Sequence, residues 1–275
     1  MILTRIPFSH SNSRGFPLIN LETISRTSVS EVRSILSSLN IPMELVLHIM
    51  AIAEYCPTLR TQRPDTVKIA AGLYHNTEAC WAAKLYLVSP PLPRAPEDTL
   101  FWRVRKVTWE LEGRDQGRSN QRRGEYRGAC SWYDACIFRP LQAQAAEGIQ
   151  NFADLTEIDG IDRTFTDPRR GMFAVQELLG AAGWTMVPHG DSNELTWRLQ
   201  NNRIADSRYK RHVFEWSVDR RGVAADAKHR GSCDGEGFVE ALRPGDRIGI
   251  WMRAQYRGWK CHTKMASVSV MYEFR

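Results

Sequence analysis

Residues 100–111 alternate in character, with Val107, Trp109 and Leu111 on one face and Lys106, Thr108 and Glu110 on the other. This period of two marks a strand with one buried and one wet side. Residues 266–274 repeat it most cleanly, Ala266, Val268, Val270, Tyr272 and Phe274 opposing Ser267, Ser269 and Glu273. Similar runs predict strands at 85–88, 184–188, 194–204, 211–218, 237–239 and 247–254. The stretch 124–138, GEYRGACSWYDACIF, reads as one long strand on which the others are organised. Its parity places Tyr126, Cys130, Trp132, Asp134, Cys136 and Phe138 on the expected core side, and Arg127, Ser131, Tyr133, Ala135 and Ile137 on the other.

The period changes near the N-terminus. Ser28 followed by Glu31 forms a capping-box pattern, and Val32, Ile35, Leu36 and Leu39 then recur at helical spacing. Pro42 stands where a second helix would start, with Met43, Val46, Ile49, Met50 and Ala53 as its apolar stripe. Residues 140–183 have helical composition around a polar middle containing Pro168. Sequential strands with turn signals and no βαβ rhythm predict a mainly β protein: an antiparallel, jelly-roll-like β-sandwich with an N-terminal helical hairpin and a short helical insertion. The implied organisation is a flexible arm over 1–27, hairpin and linker over 28–80 with one weak strand at Val67–Ala70, and the sandwich over 81–275, with the insertion near 141–183.

The chain has 275 residues, 43% of them hydrophobic, enough for a proper core. No apolar run has the length of a membrane span and the N-terminus lacks the apolar core of a signal peptide, so a cytoplasmic protein without a membrane partner is expected. Six scattered cysteines without a CxxC pair suit a reducing compartment. The charge of +6, from 37 basic and 31 acidic residues, permits an acidic ligand or RNA without requiring either.

Candidate chemistry concentrates on strand faces. Arg127 and Trp132 of the central strand, Arg198, Gln200 and Asn202 of a second, and Arg247, Trp251 and Arg253 of a third form the expected ligand-binding set. Arginine forks beside aromatic rings suit a small anionic, sugar or peptide ligand, because guanidinium grips oxyanions bidentately and rings offer flat apolar contact. Cross-strand charge pairing on a solvated sheet face would produce the same pattern. Asp115 and Asp134 are the candidate catalytic carboxylates for an alternative reading as an enzyme on a small or aminoacyl substrate, and Asp246 has the same potential; turn-forming and arginine-pairing duties compete. A third reading is RNA binding through Arg118, Arg122, Arg123, Arg127 and nearby tryptophans. The histidines lack metal spacing, so no metal or other cofactor is expected, and Cys130 and Cys136 read as buried thiols.

Two resemblances accompany these patterns. The phrase IPMELVLHIMAIAEYC resembles the opening of an F-box, the helical module that docks on a Skp1-type adaptor, through Pro42, Glu44, Leu45 and Ile49. It implies Leu45 and Ile49 as partner-binding residues; a hairpin packed solely on the rest of the chain is the competing reading. The phrases AEYCP, RDQG, YRGACSWYDA, LTWRLQNNRIA and LRPGDRIGIWMRAQYRGW together resemble a widespread group of fungal proteins of unassigned function. That resemblance implies an F-box-like helical segment joined to a β-sandwich. Members tend to carry Trp after the DQG turn, where this chain has Arg118.

Overall fold

The computed structural model describes residues 19–72, 81–94, 101–119, 123–141, 155, 168–189, 194–218 and 231–274. Its strands are β1 (Ile19–Ile24), β2 (Thr58–Arg63), β3 (Val67–Ala70), β4 (Trp81–Val88), β5 (Trp102–Arg114), β6 (Ser131–Pro140), β7 (Trp184–Met186), β8 (Trp197–Asn201), β9 (Lys210–Ser217), β10 (Arg247–Gln255) and β11 (Lys260–Phe274). The helices are α1 (Arg26–Ser38), α2 (Met43–Ile52), α3 (Pro168–Ala181) and the single turn α4 (Phe238–Ala241). One sheet runs β1-β2-β11-β5-β9 with β3 also on β11; the other runs β4-β10-β6-β7 with β8 also on β6.

Setting aside the accessory strands β1, β3 and β7, eight strands remain, and they pair from the outside inwards. β2 pairs with β11, β4 with β10, β5 with β9 and β6 with β8, all antiparallel. This is one long hairpin wrapped across two sheets, the jelly-roll connectivity, and it bears out the fold class read from the alternating patterns.

The main core lies between the sheets. Val107, Trp109 and Leu111 of β5 and Ala266, Val268, Val270 and Tyr272 of β11 face Tyr133, Ala135 and Ile137 of β6 and Ile248, Ile250 and Met252 of β10. Phe238 wedges among Trp109, Trp197 and Trp216 with ring centroids 5.0–5.5 Å apart. Burying a ring of this size stabilises the fold by about 1.5–3 kcal/mol. Residues 237–239, expected as a strand, are therefore part of a helical turn: Gly237 at φ 74° reverses the chain so that Phe238 enters the core.

β6 is buried on both faces. Cys136 and Phe138 join a second core with Leu85, Trp251 and Trp184, roofed by Val175 and Leu179 of α3. The expected core side of β6 is thus the α3 side, and the smaller Ala135 and Ile137, with Tyr133, face the partner sheet. The alternation rule separated the two faces correctly but could not rank them, because both are covered. β6 also begins at Ser131, not at 124; residues 123–130 form two turns, with Gly124 and Gly128 at positive φ.

Between the sheets, one end carries a polar network. The Tyr133 hydroxyl shares a 2.9 Å hydrogen bond with the Thr263 hydroxyl and donates to the His262 carbonyl at 3.3 Å. Asn202 Nδ2 donates to Ser131 Oγ at 3.2 Å and to Cys261 Sγ at 3.3 Å. Gly113 of β5 makes room for this network: a Cβ there would fall on the Tyr133 hydroxyl.

The hairpin starts one turn earlier than the Ser28 capping box implies. Ser25 is the N-cap, and its Oγ accepts from Ser28 N at 3.0 Å. Val29, Val46 and Met50 form its interior. Residues 58–80, expected as a linker with one weak strand at Val67–Ala70, supply β3 at those bounds and also β2, while β1, inside the expected arm, pairs with β2. β2 is short and rich in polar residues, which hides its period. The polypeptide at 1–18 and 142–154, parts of the expected arm and insertion, lies outside the described residues. Among the described residues no helix is long and apolar enough to cross a membrane.

Candidate functional site

The predicted Arg/Trp set separates into a compact cluster and several residues with other duties. On the outer face of the β4-β10-β6 sheet, β10 pairs Arg253 with Trp132 and β6 brings Asp134 two residues further on. Asp134 Oδ1 accepts from Arg198 Nε at 3.0 Å, while its Oδ2 accepts from Trp132 Nε1 at 3.0 Å and from Arg253 Nε at 3.2 Å. Arg198 also lies 4.3 Å from the Trp132 ring centroid and donates from Nη1 to Asn201 Oδ1 at 3.0 Å. Trp81 closes on Trp132 edge to face at 5.8 Å.

This geometry is a buried two-arginine clamp on one carboxylate. Asp134 is 4% exposed and Arg253 5%, whereas the Arg198 side chain is 40% exposed. Burial opposes the charge of Arg253 and holds its guanidinium below the usual range, with the Asp134 carboxylate acting against that. Both Asp134 oxygens are engaged, so the carboxylate serves arginine pairing.

The remaining predicted residues fall elsewhere. Arg127 sits exposed in the turn before β6, outside the clamp. Gln200 is buried and donates to the Asn201 carbonyl at 2.9 Å, and Asn202 belongs to the inter-sheet network. Trp251 is fully buried under α3, with its Nε1 donating to Cys136 Sγ at 3.2 Å. Arg247 packs over Trp184 at 5.4 Å, six residues along β10 from Arg253 and thus about 20 Å away. Shared parity on three strands did not make one surface, because α3 roofs half of it and β8 shifts register between Tyr133 and Asp134.

The other carboxylates hold loops. Asp115 accepts from Gly117 N at 2.7 Å and Ala205 N at 2.5 Å; burial raises its pKa, and those backbone donors oppose the rise. Asp246 takes the Arg139 fork at 2.9 and 2.8 Å and also Arg243 N. The thiols are similarly inert: burial pushes Cys136 up to about 12 and Cys233 and Cys261 up to about 11. Cys80 and Arg122 lie outside the described residues.

His262, absent from the predicted set, has a strongly perturbed imidazole. In register across the sheet it stands between Lys68 of β3 and Arg114 of β5. Burial first, then Arg114, Lys68 and Lys260, bring its pKa down to about 4. An unfolded histidine titrates near 6.5, so between pH about 6.5 and about 4 the unfolded chain binds more protons than the folded one. Stability is accordingly expected to fall on acidification through that window. Urea titrations at pH 7, 6, 5 and 4 should give a shallower decline for His262→Gln than for the parent; parallel curves would remove the assignment.

The helical hairpin presents a different kind of surface. Val46 and Met50 turn inward, while Leu45, Ile49 and Ile52 are 54%, 43% and 72% exposed. Their spacing of four and three places them in one row on α2. Ile35, Leu39 and Met43 extend the exposed apolar set along the end of α1 and around the corner. The hairpin is tied to the sandwich by its other side: Arg26 Nε donates to Tyr272 Oη at 3.1 Å, Arg33 Nη2 to the Phe274 carbonyl at 3.3 Å, and Lys106 pairs with Glu54 at 2.7 Å. A cavity of about 30 Å³ at this joint, lined by Val29, Met50, Tyr55, Cys56 and Phe274 among others, has room for about one water. The F-box-like phrase pointed to Leu45 and Ile49; Ile35 and Leu39, in the predicted apolar stripe of the first helix, are exposed, and Ile52 was not singled out, although α2 is apolar around most of its circumference.

No family model matches the chain, and no curated protein matches it. Among solved structures, a decameric BFDV capsid protein is similar at 11% identity, over 79% of this chain and 98% of that one, with a TM-score of 0.24. A likeness at that TM-score carries no argument about function.

Proposed function

We propose that this chain is a cytoplasmic partner-binding protein in which the helical hairpin docks on a Skp1-type helical adaptor and the β-sandwich is the body it carries. The carrying observation is the outward row Leu45, Ile49 and Ile52, opposite a second apolar row that already anchors α2. A helix apolar on both sides is normally covered on both sides, and large contiguous exposed patches mark interaction surfaces. The F-box-like phrase supplies the class of partner, with Leu45 and Ile49 at the matching positions. α1 is tethered to the end of β11 and α2 to β5 through Arg105 Nη1 donating to the Ala51 carbonyl, while Leu45, Ile49 and Ile52 remain exposed.

The ligand-binding reading of the Arg/Trp face loses support, because Asp134 already occupies both clamp arginines and Trp251 is buried under α3. Pull-down with a purified Skp1-type adaptor tests the docking. The parent is expected to form a complex that survives 0.5 M salt, since apolar contacts carry it, and Leu45→Asp to lose it while keeping its thermal midpoint. A complex equally strong with Leu45→Asp would overturn the reading.

A further inference from the structure

The outer face of the β1-β2-β11-β5-β9 sheet is mostly a lattice of neutralised charges. Arg60 and Arg211 both meet Glu110, at 3.2 and 2.7 Å; Arg103 meets Glu273 at 2.6 Å and Lys264 meets Glu112 at 2.8 Å. One end departs from this pattern. Lys68, His262 and Arg114 stand in register on three adjacent strands, and Lys260 lies two residues before His262 on the same face. Among the described residues no carboxylate forms an ion pair with Lys68, Arg114 or Lys260. His262, with its pKa down at about 4, separates Lys68 from Arg114, so the positive charges stand on the two flanking strands and on Lys260.

The surroundings reinforce the positive field. Arg114 packs over the Tyr209 ring at 5.1 Å, and the loop carrying exposed Arg118 is fastened here by Lys260 N donating to Gln116 Oε1 at 3.3 Å. Tyr256, 46% exposed, lies in the adjoining β10–β11 turn. Burial first, and then Arg114, Lys68 and Lys260, depress the His262 imidazole within the row.

We propose that the Lys68–His262–Arg114 row, with Lys260, is a binding strip for the phosphate backbone of single-stranded nucleic acid. Adjacent strands lie about 4.8 Å apart, so cations recur across about 10 Å of a sheet face, which suits a repeating anion better than one small carboxylate. Tyrosine rings beside the row offer sequence-tolerant stacking for bases. Among the described residues most of the large exposed apolar side chains lie on the hairpin, and this end offers chiefly Tyr256, little to insert into a bilayer. This strip shares no residue with Arg118, Arg122, Arg123 and Arg127, the arginines that the sequence suggested for RNA, and is independent of the hairpin's docking.

Fluorescence anisotropy of the full chain with a labelled oligouridylate tests it. Three lysine and arginine contacts predict a log–log salt slope of about −2, or roughly a 20-fold loss of affinity between 50 and 200 mM salt. Lys68→Ala is expected to flatten the slope by about 0.7, and Lys68→Ala with Lys260→Ala by about 1.4. Removing repulsion should leave both variants folded, with unchanged or higher thermal midpoints. In NMR titrations the oligonucleotide is expected to move the His262 pKa up from about 4, because phosphates oppose the neighbouring cations. An unchanged slope in the double variant, or an unmoved His262 titration with oligonucleotide bound, would overturn the proposal. Equally tight binding of polyglutamate or of phosphatidylserine vesicles would overturn it too, by assigning the strip to acidic protein or lipid.

Discussion

Asp134→Asn is expected to lower the thermal midpoint by roughly 6–20 °C. The carboxylate is 4% exposed and is the acidic partner of Arg253, itself 5% exposed, and of Arg198. Removing one partner of a buried ion pair costs about 3–5 kcal/mol because the remaining charge is stranded in a poorly solvating interior. For a chain of this size each kcal/mol shifts the midpoint by about 2–4 °C. Arg198→Ala should cost much less, since that side chain is 40% exposed and water replaces the lost contact. Asp134→Asn combined with Arg253→Gln should recover part of the loss, because no buried charge is left unpaired. Calorimetry on the four proteins checks this; an Asp134→Asn midpoint within 2 °C or so of the parent's would show the clamp to be solvated.

Gly113→Ala should be the second large effect, about 1–3 kcal/mol from overpacking. The new Cβ would land on the Tyr133 hydroxyl and 3.1 Å from Asn202 Oδ1, inside the network that joins the two sheets. Tyr133 is 1% exposed and holds Thr263 and the His262 carbonyl, so it has little room to retreat. In a Tyr133→Phe background the same alanine should cost less, because the oxygen is gone and only the ring Cζ, 2.9 Å from the new Cβ, has to give. Denaturant titrations around this double-mutant cycle read the coupling directly. Additive losses would mean that Gly113 is fixed by its own backbone and not by Tyr133.

Alternation made the sandwich legible. In β5 and β11 one face meets the core and the other meets water, so Val107, Trp109, Leu111, Val268 and Val270 announce themselves. β6 was found as the organiser for the same reason that its faces could not be ranked: Tyr133 and Ala135 on one side and Cys136 and Phe138 on the other are all buried. β3 matches the weak strand predicted at Val67–Ala70, whereas β2 was invisible because it is six residues long and carries Arg60, Gln62 and Arg63.

The candidate site was legible only where local pattern suffices. Leu45 and Ile49 stood out through the F-box-like phrase; helical spacing alone put Ile49 in one stripe with Val46 and Met50, which turn inward, and left Leu45 out. Trp132, Arg198 and Arg253 were named together, yet their common partner, Asp134, depends on two strand registers and one register shift, none of which a single strand encodes. The same applies to Lys68, Arg114 and His262, which are separated by 46 and 148 residues and meet only through pairing with β11.

The claim that α2 is a docking helix is tested most directly by hydrogen–deuterium exchange on the full chain with and without a purified Skp1-type adaptor. Protection is expected over residues 35–52, centred on Leu45, Ile49 and Ile52, with exchange across β6 and β10 unchanged and no protection in Leu45→Asp. Unaltered exchange over α2 at saturating adaptor, or protection that persists in Leu45→Asp, would contradict it.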